Sequence, residues 1–456
     1  MTTTHWRNAI TGDFAKAGKW SDGRPGIKDD AVIAATGADY TVKVISADAA
    51  HVITLDSANA TLLEKAQGSL HVGTLNIEAG TAVFNAANTI GKIVMTAGEV
   101  EISNNAALGG ADISISRQAI LAATANVEIS NDIDESLLQA TFAVKNGATF
   151  KMDGGLSFDT RDAATLNFTG LGIHGKGDGS GIIDLDGAIG AMSAHTTVVI
   201  EGATLGSSVA NNANFDSFLS NALHMDIETN GVLDLTHQGN VAIQMLLGTG
   251  EILNSGAREA LTFDQYSFGG FTKGDFDITL NGGGEFGGTI ALNPGDRIHV
   301  IAGAVLHALF EGAAPAIDLE DPQGFSNGEL SFEGAIFDGA GPAVDLGTGQ
   351  DNNLILDHNF VGTITNFGGR NGGADTITFS DESGKGVPSL QYNPNEAGTG
   401  GELIVQYGAE PAYTLQLEGT YTLSDFTVDP GDSNQVACSA EQSSPHVPAH
   451  VLDALV

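Results

Sequence analysis

Leu75–Phe84 reads LNIEAGTAVF, and this stretch decides the fold. Leu75, Ile77, Ala82 and Phe84 alternate with polar or small residues, the period of a half-buried strand. Between the two halves, Ala79-Gly80 offers a corner at which the backbone takes positive φ without steric cost. Related units follow: IVMTAGEVEI (93–102), FAVKNGATFKM (142–152), VVIEGATL (198–205), MDIETNGVLDL (225–235), ITLNGGGEF (278–286) and HVIAGAVLHAL (299–309). One such unit cannot bury its own apolar face, whereas a stack of them can, so the sequence predicts an all-β, single-chain solenoid.

The corner glycines fall at Gly80, Gly98, Gly147, Gly202, Gly231, Gly256, Gly282, Gly303 and Gly334, with closer spacings of 18 to 31 residues. At ~20–25 residues and ~4.8 Å per rung, the body would hold ~12–15 rungs over ~60–70 Å. Helix-period stretches are few, and SFLSNALHM (217–225) is the best candidate. The expected organisation is a cap over 1–40, a solenoid body over 41–345, a C-terminal β extension over 346–437 and a flexible tail over 438–456.

Composition narrows the function. The 456 residues include 61 glycines but only 11 prolines, and 42% are hydrophobic, which describes a folded chain rich in turns. A formal net charge of −38, from 56 acidic against 18 basic side chains, argues against nucleic acid or an anionic membrane as partner. There is no apolar run long enough to insert into a bilayer. Cys438 is the single cysteine, so no internal disulfide can form. The opening residues MTTTHWRNAITGDFAKAG carry no apolar secretory core, which leaves either an intracellular protein or export read at the other end.

The cap region holds both tryptophans, Trp6 and Trp20, together with Phe14. Bulky residues here would cover the open edge and core of a first rung, and an aromatic sugar box is the competing reading. The run Trp20-Ser-Asp-Gly23-Arg-Pro25, followed by Asp30 and Val32, resembles the opening segment of bacterial β-helical surface passengers.

Two further segments place glycines, then an aspartate, then alternating apolar residues: LGTGQDNNLILDHNF (346–360) and GGRNGGADTITF (368–379). They resemble the calcium-binding RTX nonapeptide, with Gly347, Gly349 and Asp351 fitting in the first copy and Gly372, Gly373 and Asp375 in the second. The resemblance implies carbonyl and carboxylate oxygens as ligands for calcium; an ordinary turn followed by a strand is the alternative.

The segment 400–438 resembles the stretch that precedes a Hedgehog/intein-type self-processing domain in large secreted alphaproteobacterial proteins. The matching positions include Gly400, Gly401, Leu403, Val405, Leu415, Leu417, Gly419, Tyr421, Phe426, Val436, Ala437 and Cys438. After Cys438 the pattern departs, so no acyl shift is read here. Asp453-Ala454-Leu455-Val456 resembles the uncleaved C-terminal signal of type I export substrates.

Catalytic constellations are not evident in the sequence. Asp184 and Asp186, and likewise Asp318, Glu320 and Asp321, are expected to have no nearby basic partner. The twelve histidines form no zinc-binding spacing. The expectation is therefore a secreted, non-catalytic bacterial surface or biofilm-matrix β-solenoid, working as adhesin, scaffold or self-assembling fibre subunit. Its partners would be surface glycans or other copies of itself. A polysaccharide-active β-helix enzyme and a phage-type tail spike are the alternatives.

Overall fold

The computed structural model describes every residue except 117, 138, 159–163, 172–179, 191–194, 294, 302–303, 313–314, 320–328, 333, 339–340, 348–351, 369–373, 383–384, 430–431 and 441–456. The chain is 58% strand, and parallel coils stack into a β-solenoid of about 14 turns. It divides into two compact units, Met1–Ala257 and Arg258–Val456.

In the first unit, period-two patterning becomes vertical ladders. Strand Ser69–Phe84 pairs in parallel with Ala47–Glu64 on one side and with Thr89–Met95 and Glu99–Ile102 on the other. Ile53, Leu75, Ile93, Ile113, Ile133 and Leu156 occupy one register position on six successive coils, and all are buried. A second ladder runs Val42, Leu62, Ala82, Val100, Leu121, Phe142, Phe168, Ile200, Ile227. Phe142 and Phe168 stack within it, ring centroids 5.6 Å apart. Each coil thus exposes on its two faces what only its neighbours can cover, which is why the repeat and not the single strand is the stable unit.

The corner role of the glycines is visible at Gly80 and Gly98, at φ +84° and +75°. A Cβ on Gly98 would lie 2.5 Å from the carbonyl oxygen of Gly80, so stacked corners demand glycine for closeness as well as for angle. The helix lies earlier than the sequence pattern places it. It spans Ala213–Asn221, capped by Asn212, whose side chain accepts from Asn214 N and Phe215 N. The expected tail end instead joins strand His224–Ile227, because Met225 and Ile227 alternate into the core beside Val198 and Ile200.

Parallel pairing begins inside the segment expected to be only a cap: Thr3–His5 pairs with Asp30–Val32. The outward edge of Thr3–His5 is met at His5, where Ser21 N donates to His5 O and His5 N donates to the Ser21 hydroxyl, both at 2.9 Å.

In the second unit a ladder of Ile278, Ile298, Ile317, Val344 and Ile364 continues the same construction. The ladder takes one more parallel step, Ile364 to Leu417, and antiparallel pairing follows beyond it. Asp375–Thr378 pairs antiparallel with Gln435–Cys438. Thr363–Thr365 is followed by Tyr413–Glu418, and then by Gly400–Gln406 and Ser389–Pro394 as an antiparallel sheet.

Candidate functional site

The aromatic residues of the N-terminal segment are core. Trp6, Phe14 and Trp20 are all buried, with Trp20 in edge contact with Trp6 at 5.1 Å and with Phe14 at 5.0 Å. The Trp20 indole N–H donates to Phe14 O at 2.8 Å. Rings fully enclosed in this way offer no face to a sugar.

Of the glycine–aspartate turns, Gly349, Asp351, Gly372 and Gly373 lie outside the described residues, as does Gly303. Gly347 takes φ +67°, and its N–H donates to Asp345 Oδ1 at 2.8 Å. Asp375 opens strand Asp375–Phe379 and is buried; Oδ1 accepts from Asn352 N and Oδ2 from Gly368 N, each at 3.0 Å. Both oxygens therefore hold backbone donors. Among the described residues no group of three or more His, Cys, Asp or Glu side chains is placed to hold a metal ion.

Cys438 is buried at the end of Gln435–Cys438, and burial pushes its thiol up to about 12. A neutral, enclosed thiol is a poor nucleophile. Asp453, Ala454, Leu455 and Val456 lie outside the described residues.

The reading that the body carboxylates lack basic neighbours is corrected by the coil register. Lys151 faces Asp184 on the next coil and Glu128 on the preceding one. Its ammonium lies 3.2 Å from Asp186 Oδ2 and 3.2 Å from Asp153 Oδ1. Those two carboxylates hold the ammonium well above the ordinary lysine range. Burial would raise Asp186, but the Ser208 and Ser207 hydroxyls, followed by Asp184 and Lys151, outweigh it and hold that carboxyl far below its usual range. Burial pushes Asp184 the other way, above its ordinary value. Ser208 N–H bridges the pair, at 2.8 Å from Asp184 Oδ1 and 2.9 Å from Asp186 Oδ1. Beside this ledge Asn105, Asn126, Glu128, Thr149 and Lys151 line an open polar depression of about 380 Å³. Likewise Arg297 Nη1 lies 3.1 Å from Asp318 Oδ2. Glu320 and Asp321 are outside the described residues.

The second unit carries a concave site that the sequence does not announce. On the outward face of its terminal sheet, Thr363, Gln416, Glu402 and Asn393 occupy one register row across four adjacent strands. With Pro394, Asn395, Gly401, Leu417 and Glu418 they line a groove of about 430 Å³. Gln416 Nε2 donates to Glu402 Oε1 at 3.1 Å, and Gln391 Nε2 donates to Asn393 Oδ1 at 2.8 Å. Asn395 Oδ1 accepts from Thr399 N at 3.0 Å, so its amide NH2 points its donors elsewhere. The only signal in the sequence is the alternation in YTLQLE (413–418), whose Thr414, Gln416 and Glu418 are exposed between buried partners. No family model, curated protein or solved structure matches the chain.

Proposed function

We propose that the chain is a non-catalytic β-solenoid of the bacterial exterior, an adhesin or matrix scaffold that engages surface glycans through its outward strand faces. The observation that carries this reading is the polar row opposite the core ladders. Thr54, Asn76, Val94, Ser114, Asp134 and Ser157 stack on six successive coils, giving a regular and mostly hydroxyl- and amide-bearing face. Parallel strands ~4.8 Å apart repeat such groups at a fixed spacing, which suits a repetitive ligand.

Covered edges favour this form over the head-to-tail fibre. Ser21 meets the outward edge of Thr3–His5 at His5, the parallel strand Tyr413–Glu418 occupies that of Thr363–Thr365, and the antiparallel strand Gln435–Cys438 occupies that of Asp375–Thr378. Capped edges discourage strand-to-strand polymerisation. Export by a type I route and calcium at the Asp351 and Asp375 turns belong to the same proposal, and a melting temperature raised by millimolar calcium would support the ion.

The test is a glycan array with the purified chain, paired with an assay for new reducing ends on soluble polysaccharides and with sedimentation velocity. Retention on glycans without depolymerisation is expected, with a monomer in solution. The Asp184–Asp186 pair beside a polar depression favours a second reading, a polysaccharide-active enzyme. Depolymerisation abolished by Asp184→Asn would establish that reading instead. A detergent-resistant trimer would point to the tail-spike alternative.

A further inference from the structure

We infer that the groove on the terminal sheet of the second unit, built by Thr363, Asn393, Asn395, Glu402, Gln416 and Glu418, is a binding site for an uncharged glycan. This inference rests on the glycan-binding reading and gives it a place and a chemistry.

Three features of the groove carry it. Its size, about 430 Å³, falls in the range of small-ligand sites. Its row of four side chains crosses four hydrogen-bonded strands, a span of ~14 Å at ~4.8 Å per strand, the reach of a short oligosaccharide. Its lining mixes donors and acceptors: the amides of Asn393 and Asn395 and the Thr363 hydroxyl donate, while Glu402, Glu418 and the Gln416 carbonyl accept. Neighbouring sugar hydroxyls need both kinds at once, because each hydroxyl donates one hydrogen bond and accepts others.

Gly401 lines the groove, and Gly400 precedes it on the same strand. A Cβ on Gly400 would lie 2.4 Å from Leu417 O, and one on Gly401 2.4 Å from Asn393 O, so only glycine permits this close sheet beneath the side chains. The charge pattern excludes the other glycan classes. No Arg, Lys or His lines the groove, while two glutamates do, on a chain of net charge −38. Uronates, sulfates and phosphates would meet like charge without a cation to offset it.

The experiment is isothermal titration of the full chain with uncharged gluco-, manno- and xylo-oligosaccharides, repeated with an oligogalacturonate. The variants are Gln416→Ala, Asn395→Ala and, as a control on the first unit's depression, Glu128→Gln. All three side chains are on the surface, and unchanged thermal melts verify the folds. We expect an uncharged oligosaccharide to bind, Gln416→Ala and Asn395→Ala each to weaken it roughly fivefold, and Glu128→Gln to leave it unchanged. Binding that ignores Gln416 and Asn395 overturns this groove while leaving a glycan-binding chain intact. Preference for the oligogalacturonate overturns the charge argument. Silence of every glycan, here and on the array, overturns both this inference and the function beneath it.

Discussion

Asp375 ties two coils together: its Oδ1 accepts the backbone N–H of Asn352 at 3.0 Å, and its second oxygen takes that of Gly368. Both donors are buried, so removing the acceptor strands them without water. Asp375→Ala should cost about 3–5 kcal/mol, two charge-assisted bonds' worth. Asp375→Asn keeps one acceptor oxygen and should cost about half as much. Urea midpoints of the two variants check this, and equal midpoints would refute the clamp.

Glu64 gives a pH dependence with a definite sign. Its side chain is fully buried, and Oε2 accepts from Asn85 N, Ala86 N and Asn88 Nδ2. Burial raises its carboxyl above the ordinary value, more than those three donors lower it. A raised acid contributes its full stability below its unfolded value and loses it as pH climbs through the raised one. Glu64→Gln has no proton to lose. Variant and parent should therefore differ most in favour of the variant at neutral pH, with the gap moving towards the parent under acid. Denaturant midpoints across that window decide it.

The solenoid was legible in LNIEAGTAVF because both of its causes are local. Alternation fixes the buried face, and Gly80 fixes the corner. The helix start was less visible, since the deciding group is the Asn212 cap and not the apolar period. The sites were hidden for a different reason. Lys151 meets Asp186 across a coil, 35 positions along the chain, and Gln416 meets Thr363 only once the terminal sheet has folded back. Those meetings depend on register, which neither motif nor composition encodes. The RTX-like spacing points to Asp375 as an oxygen ligand, whereas its carboxylate oxygens accept backbone N–H groups of Asn352 and Gly368, partners that no spacing in the sequence names.

Arg258 holds a buried carboxylate in the second unit. Its Nη2 lies 2.7 Å from Asp296 Oδ1 and its Nε 2.8 Å from Asp275 Oδ1. The Asp296 side chain is fully buried and the arginine is partly exposed. Burial already raises Asp296, against the N–H groups of Phe276 and Asn293. Arg258→Met leaves that charge without its cation and should cost about 2 kcal/mol, less than a wholly buried pair because solvent reaches the arginine. Adding Asp296→Asn should return much of the loss. The single variant should also regain stability as pH falls into the carboxylate range, whereas the double variant should not. Thermal melts over that range separate the two.

Trp20 joins stability to assembly state, so one variant tests both. Its ring is enclosed by Trp6 and Phe14, and its neighbour Ser21 meets the outward edge of Thr3–His5 at His5. Trp20→Ala should cost about 3–5 kcal/mol, the usual toll for a deleted core aromatic. The loss should be local at first, because coils stacked in one dimension open from an end. With the Ser21 segment loosened, the N–H and C=O of His5 become free to pair with another chain, and free strand edges self-associate. Sedimentation velocity under native conditions should show the parent as monomer and Trp20→Ala as concentration-dependent oligomers. Hydrogen exchange should show Thr3–His5 unprotected, while the ladder residues near Leu75 keep their protection. A variant that stays monomeric with its first strand exposed would mean that the edge is guarded by charge instead of by the Trp20 segment, and Asp29 and Asp30 would be the next residues to neutralise.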